Sequence, residues 1–243
     1  MAKRLDHGSF VPLYHQLKEI LKEKIESGEW SPGEKIPSEN EFRNDYEISR
    51  NTVKKALDDL VQEGFLRRIK GKGTFVSKPK FEQSLTGFYS FSKVMEKRGM
   101  KPKDLIISIE TTRAKRSIAK QLQIGEEEEV IALRRLRKAN DEPIILETSY
   151  IPKKLIPGLS REQLENYSLY DLMEKEFGII VTKAKEIFEP VLIRDYESKY
   201  LEVQEGYPAL LLDRTARNKE GLPVEFCRSI VRGDRCRFYT ELM

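Results

Sequence analysis

Histidine is almost absent from this 243-residue chain, with only His7 and His15, both near the start. A histidine-rich metal centre is therefore excluded, as is any mechanism that needs a histidine base deep in the chain. Cysteine is equally scarce: Cys227 and Cys236 are the only two and are not closely spaced, which argues against a disulfide framework or a structural zinc site. No metal and no cofactor are expected. No apolar run approaches the roughly 20 residues needed to span a bilayer, and the opening "MAKRLDHGSFVPLYHQL" has no apolar core of a secretory signal. The expectation is a cytoplasmic protein without a membrane partner. Repeats and low-complexity segments are also missing. What remains is 39% apolar and 35% charged, a folded chain with enough length for one large domain or two small ones.

The formal net charge is only +4, but it is unevenly spread. Residues 1–47 hold 7 Lys/Arg and 10 Asp/Glu, whereas residues 48–78 hold 8 Lys/Arg and 3 acids. A local excess of this kind suits a polyanionic partner. Inside it lies "IKGKGTFV" (69–76), where two glycines bracket a lysine as they do in phosphate-binding loops. A nucleotide loop needs a strand before it and a helix after it. Here a strand, "TFV", follows, so Lys72 belongs at a hairpin tip, with Gly71 and Gly73 allowing the turn.

The elements before that hairpin are helices. Leu13, Leu17, Leu21 and Ile25 recur at helical spacing, with Pro12 suited to a first turn and Gly28 to a stop. Pro32-Gly33 marks a turn. Ser38 and Glu41 form a capping box for a short helix from about Glu39 to Asp45. Ser49 is a natural N-cap for a third helix, whose buried stripe is Val53, Leu57, Leu60 and Val61 and which Gly64 ends. Three helices with a tight turn between the second and third, then a hairpin, describe a winged helix-turn-helix. The third helix would enter a DNA major groove by its N-terminal end, presenting Arg50, Asn51 and Thr52, with Lys54 one turn on. Arginine reads guanine, asparagine reads adenine, and threonine and lysine reach phosphates or bases.

The run "PLYHQLKEILKEKIESGEWSPGEKIPSENEF…ISRNTVKKALDDLVQEGFLRRIKGKGTFV" resembles the DNA-binding domain of the GntR family of bacterial transcription regulators. That resemblance implies contacts to double-stranded operator DNA from Ser38, Asn40, Ser49, Arg50, Asn51, Thr52 and Lys54, with Lys72 and Gly73 from the wing. Asn40 and Lys54 stand where the family often has arginine, so the operator can differ from the commonest one.

The stretch "SKPKFEQSL" reads as a linker, which sets expected domains at 1–78 and 85–243 with a linker at 79–84. Strand candidates then follow at "DLIISIETT", "EVIALRRLRKAN", "EPIILETSYIP", "IVTKAKEIFEPVLI", "YPALLLDRTARN", "LPVEFCRSIVR" and "CRFYTELM". Turn-like "ANDEP" and "NKEGLP" join neighbours as hairpins, and helices are expected at Lys115–Leu122, Leu169–Glu176 and Asp195–Val203. The fold class is α+β around a mostly antiparallel sheet. Alternation puts Arg135 and Arg137 on the face of Ile131 and Leu133, Glu147 on that of Ile145, Ser149 and Ile151, and Glu225 on that of Cys227. Charges on inward faces are costly unless paired or used. Guanidinium pairs suit a phosphate or carboxylate, while carboxylates suit hydroxyls or amines. Plain cross-strand Arg–Glu pairing explains the same pattern without a ligand.

Residues 85–243 resemble the UTRA effector-binding domain of the HutC subfamily, similar in fold to chorismate lyase. This implies a pocket gathering Phe88, Tyr89, Ser90 and Phe91 from a "TGFYSF" loop, Arg135 and Arg137 as anion holders, Ser168 and Tyr170 from the start of a helix, and Glu147 and Glu225 at the far end. It also implies a homodimer on a palindromic operator, and regulation, most often repression, by a small anionic effector such as a sugar phosphate. A lyase-like enzyme and a nonspecific architectural DNA binder are the competing classes. The first has no histidine or nucleophile motif where it needs one.

Overall fold

In the computed structural model, which describes residues 5–69, 71–78, 80–86 and 90–241, helix α1 (Leu13–Glu26) starts directly after Pro12 and buries Leu17, Ile20 and Leu21. That stripe packs on Phe42 of α2 (Glu39–Tyr46) and on Val53, Leu57 and Leu60 of α3 (Arg50–Gln62). The capping box on α2 is complete: Ser38 Oγ accepts from Glu41 N at 3.3 Å, and Glu41 Oε2 accepts from Ser38 N at 2.7 Å. Glu47, with φ of 53°, ends α2 in the left-handed region, and Ser49 then caps α3 by accepting from Thr52 N at 3.1 Å. Two caps separated by so short a turn fix the angle between the two helices.

The wing is an antiparallel pair, β1 (Leu66–Ile69) and β2 (Gly73–Val76), with Ile69 opposite Gly73. The α1–α2 connection adds a third edge to it, through Val76 N to Glu34 O at 2.8 Å and Ile36 N to Thr74 O at 3.0 Å. The backbone at position 73 favours glycine. Its φ is +119°, and a Cβ there would stand 2.8 Å from Lys35 Cε.

A second unit begins at Phe81. It contains β3 (Phe81–Ser84), α4 (Phe91–Lys97), β4 (Pro102–Arg113), α5 (Arg116–Leu122), β5 (Glu129–Ala139), β6 (Glu142–Pro152), α6 (Arg161–Asn166), α7 (Leu169–Lys175), β7 (Val181–Leu192), α8 (Asp195–Leu201), β8 (Pro208–Asn218), β9 (Pro223–Arg232) and β10 (Cys236–Tyr239). Six strands form one antiparallel sheet in the order β4-β5-β6-β9-β8-β7. The β5–β6 hairpin turns on Asn140 and Asp141, at φ of 48° and 63°. These two residue types tolerate the left-handed region and suit a two-residue primed turn.

On one face of this sheet, Ile131, Leu133, Ile151 and Ala216 pack with Leu169, Leu172 and Met173 of α7. Further along the same face, Ile145, Leu212 and Val231 pack with Phe81, Phe91 and Met95. The polar residues of the strands lie between these two apolar clusters.

The structure departs from the sequence-based expectation in three places. Residues 79–84 are not wholly linker: Phe81–Ser84 is strand β3, paired parallel to β10. "CRFY" accordingly belongs to that small ribbon and not to the main sheet. Phe91 opens helix α4, with Ser90 as its N-cap residue, where a loop was expected. Short amphipathic helices such as α4 and α6 carry too few turns to display a period.

Candidate functional site

The first unit exposes the start of α3. Arg50, Asn51 and Lys54 are exposed and Thr52 half-buried, while Val53 and Leu57 of the same helix are in the core. The face that cannot be buried is thus the polar one, and it is the end where free backbone N–H groups favour an anion. Ser38 and Ser49 have structural work first. The Ser38 hydroxyl caps α2, and that of Ser49 caps α3 while also bonding Thr52 Oγ1 at 2.8 Å. Asn40 is exposed on the first turn of α2. Lys72 and Gly73 are exposed at the wing, whose turn is closed by Lys72 N donating to Ile69 O at 3.0 Å. Lys35 is a cation that sequence reading missed, and its aliphatic stem lies on Gly73. It comes from a loop nearly 40 positions upstream, and no local pattern announces a third wing edge.

The second unit holds a cavity of about 70 Å³. Its floor is the polar strip of the sheet, and its walls come from α4, α7, β3 and β10, including Phe81, Phe91, Met95 and Phe238. Arg135, Arg137, Glu147, Ser168, Tyr170, Glu225, Ser90 and Phe91 all line it. Phe88 and Tyr89 lie outside the described residues.

Arg135 and Glu147 face each other across β5 and β6 in register, and Arg135 Nη2 donates to Glu147 Oε1. Arg135 Nη1 also donates to Asp104 Oδ2 at 3.2 Å. Arg137 Nε donates to Asp104 Oδ1 at 3.1 Å, and its Nη1 lies 3.5 Å from Glu147 Oε2. The Arg137 guanidinium also lies 4.6 Å from the centre of the Phe91 ring, a cation–π contact. Two cations and two anions thus interlock, Arg135, Arg137 and Glu147 buried and Asp104 half-buried. Burial by itself raises the Glu147 carboxyl, but Arg137 and Arg135 outweigh it and hold the pKa down at about 2. Burial likewise works against both guanidiniums, and Asp104 and Glu147 more than offset it.

Further along the floor, Tyr170 OH donates to Glu225 Oε2 at 2.6 Å. Burial, and then Glu225, push the Tyr170 phenol well above its ordinary range. Burial followed by Glu147 and Glu225 does the same to the Cys227 thiol, so it stays protonated and is no nucleophile. Ser168 caps α7, its Oγ accepting from Asp171 N at 3.2 Å and donating to Asp171 Oδ2 at 2.6 Å.

Several floor residues were missed. Arg214 lies beside Cys227 in register and 2.8 Å from Glu186 of β7, and Ser229 donates to Glu147 Oε2 at 3.3 Å. Arg214 could have been found, since in "LLLDRTARN" it shares a face with Leu212 and Ala216. Asp104 could not, because only the pairing of β4 with β5 sets it opposite Arg137.

Chemically, this floor offers guanidiniums, which suit anions, and carboxylates, which suit hydroxyls or amines. Among the described residues no group of histidines, cysteines and carboxylates is arranged to hold a metal, and no helix is long and apolar enough to cross a membrane.

Comparison with known proteins adds to this geometry. Residues 13–76 match the family model of bacterial regulatory proteins of the gntR family, and residues 97–237 match that of the UTRA domain. The chain is 40% identical to the HTH-type transcriptional repressor NagR of Bacillus subtilis (strain 168) over 234 residues, 96% of each chain. It is 27% identical to the mannosyl-D-glycerate transport/metabolism system repressor MngR of Escherichia coli (strain K12), over 93% of this chain and 94% of that one. The crystal structure of PhnF from Mycobacterium smegmatis superposes with a TM-score of 0.64 at 26% identity, covering 93% of this chain and 98% of that one.

Proposed function

The chain belongs to the GntR family of bacterial regulatory proteins, and on that premise we propose a ligand-responsive transcriptional repressor. Regulators of this family bind DNA, and small-molecule effectors through the UTRA domain; they are not enzymes. The effector is a small anion that also carries hydroxyl or amino groups, a sugar phosphate being the model. The observation that carries this reading is the cavity floor, where Arg135 and Arg137 stand beside Glu147 and Glu225, all buried. Guanidiniums receive the anion, and the carboxylates they release, together with Glu225, receive the hydroxyls or amines. The name of MngR, a repressor of a sugar-derivative system, is in keeping with such a ligand.

Phe81 and Gln83 belong to β3, the first element of the second unit, and both line the cavity. A ligand seated there therefore touches the segment that leads back to the DNA reader. A ligand that favours one state over the other shifts operator affinity by its difference in affinity, typically about 1–3 kcal/mol. The reader acts as a two-fold dimer on a palindrome, because half-sites one helical turn apart need matching protein symmetry.

The test is a thermal-shift screen of phosphorylated sugars and small acids, followed by a gel shift on the DNA upstream of the protein's own gene. A ligand that raises the melting temperature should change operator affinity by roughly 5–150-fold. Operator binding that ignores every stabilising ligand sinks the sensing half of the reading. Arg50→Ala should weaken operator binding by about 1–3 kcal/mol, and an equal loss on random DNA would reassign Arg50 to a phosphate.

A further inference from the structure

Glu39 sits on the first turn of α2, one residue beyond the capping serine, and its two carboxylate oxygens face two different arginines. Oε1 accepts from Arg68 Nη2 at 3.3 Å, and Oε2 lies 3.6 Å from Arg50 Nε. Arg68, on β1, is tied in turn through Nη1 to Asp58 on α3. Arg50 has a side chain 71% exposed, and its terminal nitrogens carry no protein partner among the described residues. Those two nitrogens form a fork that can meet a guanine edge.

We propose that Glu39 is a positioning residue that aims the Arg50 fork and sharpens discrimination between operator and random DNA. The inference rests on reading the start of α3 as the DNA-reading end. A long exposed side chain loses rotamer freedom on binding, and a tether at Nε removes part of that loss beforehand. The carboxylate also repels phosphate oxygens at the one place where a free arginine would grip any backbone. Arg68, itself tied to Asp58, holds the other carboxylate oxygen and keeps the group beside Arg50. Base recognition is thus favoured and indiscriminate phosphate binding is weakened.

The test uses the full-length chain, a duplex selected by the wild type from a random pool, and poly(dI–dC) as random DNA, with affinities read over about 50–200 mM salt. Glu39→Gln keeps the shape and removes the charge. The operator-to-random affinity ratio should fall about three- to fivefold, the upper range for an exposed ion pair, and the slope of log K against log salt on random DNA should steepen by about 0.9, the release of one more counterion. Glu39→Asp withdraws the charge from Arg50 without removing it, and should lower the ratio without steepening the slope. In an Arg50→Ala background, Glu39→Gln should leave the ratio within about twofold, because the two act as one unit.

An unchanged ratio in both Glu39 variants overturns the proposal. So does an equal effect with and without Arg50, or a fall in both affinities that merely tracks a lower melting temperature. If the wild type itself prefers no duplex, the DNA-reading interpretation falls as well, so the two failures are distinguishable.

Discussion

Replacing Glu147 with glutamine removes one anion from the interlocked cluster of Arg135, Arg137, Asp104 and Glu147. The carboxyl is held at about 2, against an ordinary 4.5. At about 1.4 kcal/mol per pKa unit, that depression contributes roughly 3 kcal/mol of folding stability. The folded-state pKa is the lower one, so the contribution is fully present above about pH 5 and is lost as pH falls toward 2. Breaking a buried pair from one side costs about 3–5 kcal/mol, the same range. Glu147→Gln should therefore melt about 6–12 °C below wild type at pH 7, at roughly 2–4 °C per kcal/mol. The gap between the two proteins should narrow as pH drops below 5. The variant should also gain disproportionately from sulfate or inorganic phosphate, which supply the missing charge. At roughly 100 times Kd an anion returns about 2.7 kcal/mol. Wild type, with its guanidiniums already paired, should respond less. Differential scanning fluorimetry with and without sulfate decides the matter. A variant that melts with wild type and ignores sulfate would refute the electrostatic account of the floor.

Other expectations concern single bonds. Tyr170→Phe removes the donor to Glu225 Oε2 and should cost about 1–3 kcal/mol in urea unfolding; no change would mean that the carboxylate is satisfied otherwise. Ser49→Ala removes the α3 cap and should cost about 1 kcal/mol, read as a lower melting temperature. Arg232 is buried, bonds Asp234 twice at 3.0 and 2.7 Å and donates to Pro143 O at 2.8 Å. Arg232→Ala should cost about 3–5 kcal/mol, and a loss below 1 kcal/mol would contradict that burial.

The helices and wing of the first unit were legible because their signals are local. A serine with a glutamate three positions on, a glycine at a stop and a leucine stripe each act within a turn or two. The two short helices α4 and α6 were missed for the complementary reason. On the cavity floor, strand alternation alone brought Arg135, Arg137, Glu147 and Glu225 to inward faces. Asp104 and Glu186 escaped notice because an edge strand's partner is not written in its own residues.

What the sequence by itself determined is which side chains could not be left in water or in oil: the α3 stripe, the capped helix starts, and arginines and glutamates on otherwise apolar rows. Only the tertiary structure decided whom those charges meet. It set Glu147 opposite Arg135, Asp104 against Arg137 and Glu39 between Arg50 and Arg68. Ion pairing depends on distances between segments remote in the chain, and strand register and helix packing, not spacing along the sequence, fix those distances.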